Sequence, residues 1–472
     1  MSTSWNPDLT QSGDGGTLHA RLLHALRRDI ASGVLLPDDQ MPTHRELAAR
    51  LGIGVGTVSK AYAEAERLGL LTSRVGSGTF VAPPTTAPPN PNDRNATIDL
   101  SLNMQTLGPV ANRLADALRR LPDRSDIQSY ASFAPHAGIE WQRKTLAGWF
   151  RGLANFDALD WRRLLITSGT QHAMALAVDE LCARGDVVLT EAATFSGFTS
   201  LANYRGFACA GVAMDGEGIL PDALEDAIIA HGSRVLYVQP TMQNPTTRTM
   251  SRQRREEIVT VARRHDLWII EDDVYAPLAS ANERASLVSR NLVPLAALAP
   301  ERTYYASSVS KVLAPGLRVG ILVAPDSARF DRLCAGMRAN CYATGTIGPL
   351  VAAQWIKDGI ADQIREEVAQ EAESRLILAQ RMLGDAIETP SFPTSLHAWL
   401  PMSELESERI ASNALRRHVV LTPPSSFLVA GEKVAGLRLC LNVVERSEME
   451  RALRIMQSVL ADEREASNLS IV

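Results

Sequence analysis

One lysine stands among residues that could do chemistry with it. Lys311 follows two hydroxyl residues, Ser308 and Ser310, and Arg318 comes just after a Pro-Gly pair. Hydroxyls and an arginine can hold a phosphate group together, while a nearby amine forms an imine with a carbonyl carbon. An isolated lysine is usually only a surface charge. This setting favours a bound phosphate beside an imine-forming lysine.

The lysine must be held by the elements on either side of it. An aromatic and apolar run begins at Tyr304, and a second apolar run follows Arg318. The segment therefore predicts a strand, a loop that exposes Lys311, and another strand. From about Ile98 onward, more apolar strands alternate with helical stretches, which indicates a mostly parallel sheet covered on both faces. In such proteins ligands gather at the carboxyl ends of the strands.

Other polar or aromatic residues also follow predicted strands. They are the turn Gly169, Thr170 and Gln171, then Phe195, Asn244 and Asp272. A helix N-terminus can bind an anion through its free N–H groups and its dipole, and a buried carboxylate needs a cation or strong hydrogen bonds. Taken singly, each has an ordinary structural explanation: a turn, a cap or a core aromatic. In this order, each at a strand end, they indicate one site.

The segment Ser308-Val-Ser-Lys followed by Pro315-Gly-Leu-Arg-Val-Gly resembles the cofactor-lysine segment of fold-type I pyridoxal-phosphate enzymes, the aminotransferases in particular. The order of the strand-end residues matches that family over about residues 98–460. The resemblance implies pyridoxal 5′-phosphate as cofactor, carried by Lys311 as an imine. Asp272 would keep the pyridine nitrogen protonated, which makes the ring an electron sink, and Phe195 would stack on the ring. Asn244 and Tyr275 would bind the ring oxygen, and Gly169, Thr170, Gln171, Ser308, Ser310 and Arg318 would bind the phosphate.

Two further residues follow from the same resemblance. Arg438, in an apolar segment that begins at Gly436, resembles the arginine that grips a substrate α-carboxylate as a bidentate fork. Tyr130 resembles the tyrosine that a neighbouring subunit lends to the phosphate, which implies a homodimer. The usual Asn-Pro-x-Gly turn is Asn-Pro-Thr-Thr at Asn244. That departure removes no cofactor ligand, but it bears on the shape of the substrate pocket.

Residues 17–82 have a different pattern. Leucines at helical spacing begin at Leu18, and Thr43 with Glu46 forms a predicted capping box before a second helix. A short glycine turn leads to a third helix predicted over Val55–Leu68, and two short strands follow around a Gly-rich tip. This helix-turn-helix spacing places a helix in a DNA major groove. The segment carries eight Lys or Arg residues against six acids, although the whole chain has a net charge of −5. The alternative is a three-helix interaction module that binds no DNA.

The motifs Pro42-Thr-His-Arg-Glu-Leu-Ala, Thr57-Val-Ser-Lys-Ala-Tyr and Arg74-Val-Gly-Ser-Gly-Thr-Phe-Val resemble the winged helix of GntR-family repressors. The resemblance implies these DNA contacts: Arg45, Thr57, Lys60, Arg74, Gly76, Ser77 and Gly78. Many members carry an arginine early in the recognition helix, where this chain has Val55. Base specificity therefore does not carry over.

Length and composition place these pieces in one chain. The 472 residues suggest more than one domain. We predict a disordered tail over 1–16, the winged helix over 17–82, a Pro-rich linker over 83–97 and an aminotransferase-like domain over 98–472, with a smaller part from about 346. Five scattered cysteines without a Cys-x-x-Cys pair argue against a metal site and a disulfide framework. No secretory or membrane-spanning segment is evident, so we expect a cytoplasmic protein.

The whole arrangement is α/β: an N-terminal winged helix-turn-helix followed by fold-type I aminotransferase-like large and small domains. It resembles the MocR/GabR-type regulators. That resemblance implies a transcriptional regulator that binds pyridoxal phosphate and double-stranded DNA, and that senses pyridoxal phosphate or a small amine or amino acid. The alternative is a working aminotransferase of an amino acid with an appended DNA-binding domain. A scaffold without cofactor is disfavoured by the intact Lys311, Asp272 and Arg318.

Overall fold

The computed structural model describes residues 5–7, 9, 17–31, 34–67, 70–74, 78–82, 97–105, 107–281, 292–429 and 434–469. The chain divides into two compact units, Met1–Ala96 and Thr97–Val472. Most of the predicted tail, the predicted linker apart from residue 97, and the wing residues Gly76 and Ser77 lie outside the described residues.

The first unit is a winged helix. Its elements are α1 (Leu18–Ala31), α2 (His44–Leu51), α3 (Val55–Arg67), β1 (Leu71–Arg74) and β2 (Gly78–Val81). The Thr43 side chain accepts from the backbone N–H of Glu46, and the Glu46 carboxylate accepts from the backbone N–H of Thr43, so the predicted capping box is present. Strands β1 and β2 pair antiparallel as the wing. Leucines and small residues from the three helices pack around the buried Tyr62.

The second unit contains most of the chain. Its strands are β3 (Ile98–Asp99), β4 (Leu164–Thr167), β5 (Val187–Glu191), β6 (Ala208–Val212), β7 (Met214–Asp215), β8 (Gly218–Ile219), β9 (Val235–Val238), β10 (Trp268–Asp272), β11 (Thr303–Ser308), β12 (Gly320–Val323), β13 (His397–Pro401), β14 (Val419–Val420) and β15 (Gly436–Cys440). Its α-helices are α4 (Gly108–Arg120), α5 (Glu140–Leu153), α6 (Thr170–Leu181), α7 (Ser196–Arg205), α8 (Pro221–His231), α9 (Arg252–Arg264), α10 (Ala276–Ala279), α11 (Leu295–Leu298), α12 (Ser327–Cys341), α13 (Ile347–Lys357), α14 (Ile360–Leu383), α15 (Glu404–Arg416) and α16 (Arg446–Leu469).

Seven strands form the main sheet in the order β4-β12-β11-β10-β9-β5-β6. Strand β12 is antiparallel to both of its neighbours, whereas the remaining pairs are parallel. Successive residues of one strand enter different cores: Leu165 packs with α6 and α7, and Ile166 packs with α5 and α13. The predicted mostly parallel sheet, covered on both faces, is therefore confirmed. Its parallel strands end at one edge, where the site residues follow them.

A smaller core contains the antiparallel pair β13–β15, strand β14 and helices α15 and α16. It also includes Ile98 and Leu100, because β3 pairs with β14. The sequence placed the start of the smaller part at about 346, but α13 packs in the larger core through Val351 and Trp355. The change from one core to the other lies inside α14, whose first half packs with α13 and whose second half packs with β13 and β15.

None of the helices within the described ranges is long and apolar enough to cross a membrane.

Candidate functional site

A cavity of about 140 Å³ lies at the carboxyl edge of the main sheet. It is lined by Thr170, Gln171, Phe195, Gln239, Asn244, Asp272, Val274, Tyr275, Ser308, Ser310, Lys311 and Arg318. The structure thus brings together residues from five strand ends that are separated by up to about 150 positions in the chain. Every residue predicted to bind the cofactor lines this cavity except Gly169 and Tyr130.

Lys311 ends a short 3₁₀ helix, Val309–Lys311, directly after β11. The sequence predicted an exposed lysine on a loop, and this was wrong: the side chain is half-buried. Its Nζ donates a hydrogen bond to the backbone carbonyl of Asn103. Burial lowers the pKa of Lys311 to about 8, and the positive charge of Arg438 acts in the same direction. A larger fraction of the amine is therefore neutral and nucleophilic near neutral pH than for an ordinary lysine.

Asp272 ends β10 and points one oxygen at neutral donors. Its Oδ2 accepts hydrogen bonds from Tyr237 Oη at 2.9 Å and from Gln239 Nε2 at 2.8 Å. Its Oδ1 is buried and has no hydrogen-bond partner among the described residues. Burial raises the pKa of Asp272 to about 6, because no cation compensates the carboxylate. The unpaired Oδ1 can accept a hydrogen bond from a positively charged donor. A protonated pyridine nitrogen is such a donor.

Tyr237 and Gln239 were not predicted as site residues. The Tyr237 ring stacks on Phe198, with centroids 3.9 Å apart and planes 8° apart, which fixes its hydroxyl beside Asp272. Both residues belong to or follow β9, the neighbour of β10. A polar residue directly after an apolar strand was the available sequence signal for Gln239.

An anion cradle opens the helix α6. Gly169 is its N-cap, with φ of +84°, a conformation that glycine adopts without strain. A Cβ at this position would lie 2.6 Å from Nη2 of Arg318, which donates to the carbonyl of Ser168 at 2.8 Å. Thr170 Oγ1 is buried and has no partner within the described ranges. Free N–H groups at a helix start, an unpaired hydroxyl and an arginine fit a phosphate group.

Phe195 is the residue just before α7 and lies at the side of the cavity. A Cβ on Gly197 would approach two atoms of the Phe195 ring to 2.4 Å, so only glycine permits the ring to lie over the start of this helix. Gln171 Nε2 donates to the carbonyl of Gly197 at 2.8 Å and links this turn to α6. The aromatic face is thus held in place by the chain on which it sits.

Arg438 lies on β15 in the smaller core and contacts Asn244, which lines the cavity. It is 5% exposed, and its Nη1 donates to Asn244 Oδ1 at 2.8 Å. Its Nη2 donates to Thr422 Oγ1 at 2.8 Å and to the carbonyl of Ser101. The guanidinium lies over the ring of Phe427, 4.8 Å from its centroid. Its Nε has no partner in the described part of the chain, so a donor remains for a ligand.

Two residues of this region had no sequence signal. Asn103 Nδ2 donates to Tyr275 Oη at 2.8 Å and lies 2.9 Å from His397 Nδ1. His397 is buried, and burial together with the charge of Arg438 lowers its pKa to about 3, so the ring is neutral. Burial raises the pKa of Tyr275, so it remains a neutral hydroxyl that can donate a hydrogen bond to a ring oxygen.

Tyr130 lies elsewhere, in a 3₁₀ helix at Ile127–Ala131, and is 8% exposed. Its hydroxyl accepts from Trp141 Nε1 at 3.2 Å. The single chain therefore does not bring Tyr130 into its own cavity, and its role across a dimer stays a prediction.

Among the predicted DNA contacts, Arg45 lies in the first turn of α2, and Thr57 and Lys60 lie in the first half of α3. Arg45 and Lys60 are exposed, and Thr57 is half-buried. The opposite face of α3 packs inward through Val58 and Tyr62, whose hydroxyl donates to the carbonyl of Pro42 at 3.0 Å. The recognition helix is thereby fixed to the turn before α2. The backbone of Arg74 and Gly78 forms the wing pair.

Comparison with known proteins agrees with both units. The model of the family "Aminotransferase class I and II" matches residues 96–456, and that of "Bacterial regulatory proteins, gntR family" matches residues 18–81.

Two relatives cover most of the chain. The HTH-type pyridoxine biosynthesis transcriptional regulator PdxR of Corynebacterium glutamicum is 26% identical over 393 residues, which are 81% of this chain and 83% of that protein. The vitamin B6 salvage pathway transcriptional repressor PtsJ of Salmonella typhimurium is 27% identical over 454 residues, which are 92% of this chain and 96% of that protein.

Among solved structures, the α-aminoadipate aminotransferase LysN of Thermus thermophilus, in complex with N-(5′-phosphopyridoxyl)-L-leucine, superposes with a TM-score of 0.67. It is 23% identical and covers 80% of this chain and 94% of its own. The second unit therefore has the fold-type I aminotransferase fold that the sequence predicted.

Proposed function

Because the chain belongs to the class I and II aminotransferase family and carries a GntR-family winged helix, we propose that it is a DNA-binding transcriptional regulator whose second unit binds pyridoxal 5′-phosphate. The single observation that carries the cofactor assignment is Asp272. Its Oδ1 is buried without a partner among the described residues, in the same cavity as Lys311 and the Thr170–Arg318 anion cradle.

Residues in and beside the cavity would each bind a different part of the cofactor. Lys311 supplies the amine for covalent attachment, and Asp272 supplies the acceptor for the ring nitrogen. Thr170, Gly169 and Arg318 supply the phosphate cradle. When bound there, pyridoxal phosphate supplies a reactive carbonyl and an electron-withdrawing ring.

The sensed molecule is pyridoxal phosphate itself or a small amine or amino acid. Both named relatives regulate vitamin B6 genes according to their names, which supports the cofactor as signal. Arg438, buried with a free Nε in the described structure, supports an amino acid with a carboxylate, since a guanidinium binds carboxylates in a planar fork. The ligand would change DNA affinity only by its difference in affinity for the two states of the protein.

We propose in addition that the protein binds DNA as a homodimer. GntR-type half-sites repeat in operators, and a dimer reads two of them. Tyr130 would then complete the phosphate site of the partner subunit. Analytical ultracentrifugation tests this association: a monomer at concentrations that bind DNA would contradict it.

A DNA-binding titration tests the main proposal. Fluorescence anisotropy of a DNA fragment from upstream of the protein's own gene is measured at several salt concentrations, with and without pyridoxal phosphate and with a panel of amines. We expect specific binding that weakens with salt and changes with the cofactor. In parallel, Lys311→Ala should abolish the visible absorbance of the bound cofactor. No specific binding of this DNA, or full absorbance in Lys311→Ala, would contradict the proposal.

A second function is favoured by one observation, the position of Arg438 next to Asn244 at the cavity. A working aminotransferase needs an arginine that binds the substrate carboxylate, and the contact between Arg438 and Asn244 supports that role for Arg438. Repeated turnover of an amino acid with a keto acid by the purified protein would support catalysis. A single half-reaction without turnover would favour the sensor.

A further inference from the structure

A five-residue segment shortly after β3 runs from the smaller core to the larger core and passes Lys311. We name residues 101–105 the strap. Its beginning is fixed in the smaller core, because the N–H of Leu100 donates to the carbonyl of Val420 at 2.9 Å and the N–H of Cys440 donates to the carbonyl of Leu100 at 3.1 Å. Its end is fixed in the larger core, where Gln105 Nε2 donates to the carbonyl of Leu313 at 2.9 Å. The strap therefore joins the two cores at the site.

Both cationic groups that a ligand would engage already donate to the strap backbone. Lys311 Nζ donates to the carbonyl of Asn103, and Arg438 Nη2 donates to the carbonyl of Ser101. The Ser101 carbonyl also accepts from Thr422 Oγ1 at 3.0 Å. These are charge-assisted bonds when the cations are protonated, and such bonds are stronger than neutral ones.

The side chain of Asn103 adds a second connection. Its Nδ2 contacts both Tyr275 Oη and His397 Nδ1, one from each core. Its Oδ1 is buried and has no hydrogen-bond partner among the residues described. One strap residue thus touches the cofactor lysine, a cavity-lining tyrosine and a strand of the smaller core.

We infer that the strap is the element that transmits occupancy of the site to the rest of the chain, with Asn103 as its positioning residue. This inference rests on the proposed function and names how the same site regulates. Covalent attachment would join Nζ to the carbonyl carbon of the cofactor, and the carbonyl oxygen would leave as water with two of the three ammonium hydrogens. At most one hydrogen then remains on Nζ, and a carboxylate at Arg438 competes with the Ser101 carbonyl. The strap therefore loses donors when ligands bind. The Asn103 carbonyl must then find another partner, whereas the Ser101 carbonyl keeps the Thr422 hydroxyl.

The position of the strap in the sequence gives this change a direction. Residues 97–100 separate the strap from the segment 83–96, which leads back to the winged helix. Strand β3 is therefore the element of the second unit that lies nearest in sequence both to the strap and to the first unit. The two arrangements of the strap are the pair of states between which a ligand can discriminate.

Hydrogen exchange on the full-length protein tests the first step. Amides of residues 98–105 are compared in the cofactor-free protein and in the protein saturated with pyridoxal phosphate. We expect at least about a fivefold change in their exchange rates, in line with usual coupling between sites. Amides of β6, the edge strand of the main sheet, whose residues do not line the cavity, serve as the internal control. Equal exchange of residues 98–105 in both states would overturn the inference.

A pair of variants tests the second step. Asn103→Ala removes the side-chain contacts of the strap, and Gln142→Ala removes another buried amide, on α5 and outside the cavity lining. Each is saturated with pyridoxal phosphate, as judged by absorbance, and its DNA affinity is compared with that of its cofactor-free form. We expect the wild type and Gln142→Ala to change affinity by at least about fivefold, and Asn103→Ala by less than about twofold.

The outcomes separate this inference from the proposed function. An Asn103→Ala protein that responds like the wild type overturns the role of the strap but leaves the regulator intact. If both variants lose the change in DNA affinity, the role of the strap is also overturned, because removing a buried amide outside the strap would then have the same effect. A wild type that binds neither pyridoxal phosphate nor the DNA fragment refutes the proposed function, and the inference with it. Should Asn103→Ala fail to fold, the exchange experiment on the unaltered chain decides alone.

Discussion

Substituting Asp272 by asparagine should have two opposite effects, one on the cofactor-free protein and one on the cofactor. An asparagine oxygen can take the place of Oδ2 and accept from Tyr237 and Gln239. Its amide nitrogen then takes the place of Oδ1, which has no partner in the described structure. The substitution keeps the shape and the two existing hydrogen bonds, removes the charge, and puts an amide donor in place of the free acceptor.

The effect on the cofactor-free protein follows from the pKa of Asp272. Burial raises this pKa from 3.8 to about 6, so the folded state binds a proton more tightly than the unfolded state. The free energy of unfolding of the wild type therefore falls as pH rises from about 4 to 6. Above pH 6 it is lowered by the full cost of burying the ionised carboxylate. Two units of pKa correspond to roughly 3 kcal/mol. At pH 7.5 we expect Asp272→Asn to be more stable by up to about 3 kcal/mol, with the difference vanishing below about pH 4.

The effect on the cofactor has the opposite sign. A protonated ring nitrogen would lose a charge-assisted hydrogen bond, worth about 1.5–3 kcal/mol, and would meet an amide donor instead. The dissociation constant of pyridoxal phosphate should therefore rise by about 10- to 150-fold.

Two measurements and one control variant check this pair of effects. Denaturant unfolding of the cofactor-free protein from pH 4 to 8 gives the stability difference, and an absorbance titration gives the cofactor affinity. Asp273→Asn is the matched control: Asp273 is the next residue, is equally buried and accepts from Tyr305 Oη at 3.1 Å, but it does not line the cavity. It should leave cofactor affinity unchanged. Unaltered affinity in Asp272→Asn would refute the placement of the ring nitrogen at this carboxylate.

Three other predictions concern the amine of Lys311, the glycine before α6 and a lysine of the winged helix. Covalent attachment of pyridoxal phosphate, followed by absorbance, should accelerate with pH with a midpoint near pH 8, because the neutral Lys311 amine is the nucleophile; a midpoint near 10.5 would contradict its burial. Gly169→Ala should lower the unfolding free energy by about 1–3 kcal/mol, since φ is +84° and Arg318 blocks a Cβ. Gly148→Ala, on α5 with open space around it, should raise it by about 0.5–1 kcal/mol. Lys60→Ala should reduce the salt slope of DNA binding by about 1, while the exposed Lys144→Ala in the second unit should not change it.

The residues that share a strand end were predictable from sequence. Lys311, Asp272 and Asn244 each follow an apolar run, and parallel strands carry such residues to one edge. The winged helix was predictable for a similar reason: its caps, turns and helical spacing are local signals, and the Thr43–Glu46 capping box forms as expected.

Contacts between distant segments were not predictable. Asn103 meets His397 across 294 positions, and neither residue is marked by a turn, a cap or a periodicity. The sequence also contained no sign that Lys311 is half-buried, because the strap that contacts its amine lies 208 positions earlier, near the start of the second unit. The same holds for the change of core inside α14, whose helical pattern continues through both cores without a break.

Three buried polar atoms in and beside the site bear on how a ligand would be held. Asp272 Oδ1, Thr170 Oγ1 and Arg438 Nε belong to three different elements, and none has a partner in the described part of the chain. Each such atom costs free energy while it remains unpaired, about 1–3 kcal/mol. A ligand that satisfies all of them stabilises the ligand-bound arrangement by more than its contacts alone would suggest. Because a ligand can shift an equilibrium only by its difference in affinity between two states, these unpaired atoms are what make a difference of regulatory size available. An enzyme that holds its cofactor at Lys311 would change the same strap contact, but it does not need that change to alter DNA affinity. A dependence of DNA affinity on those contacts would therefore distinguish a sensor from a catalyst built on the same fold.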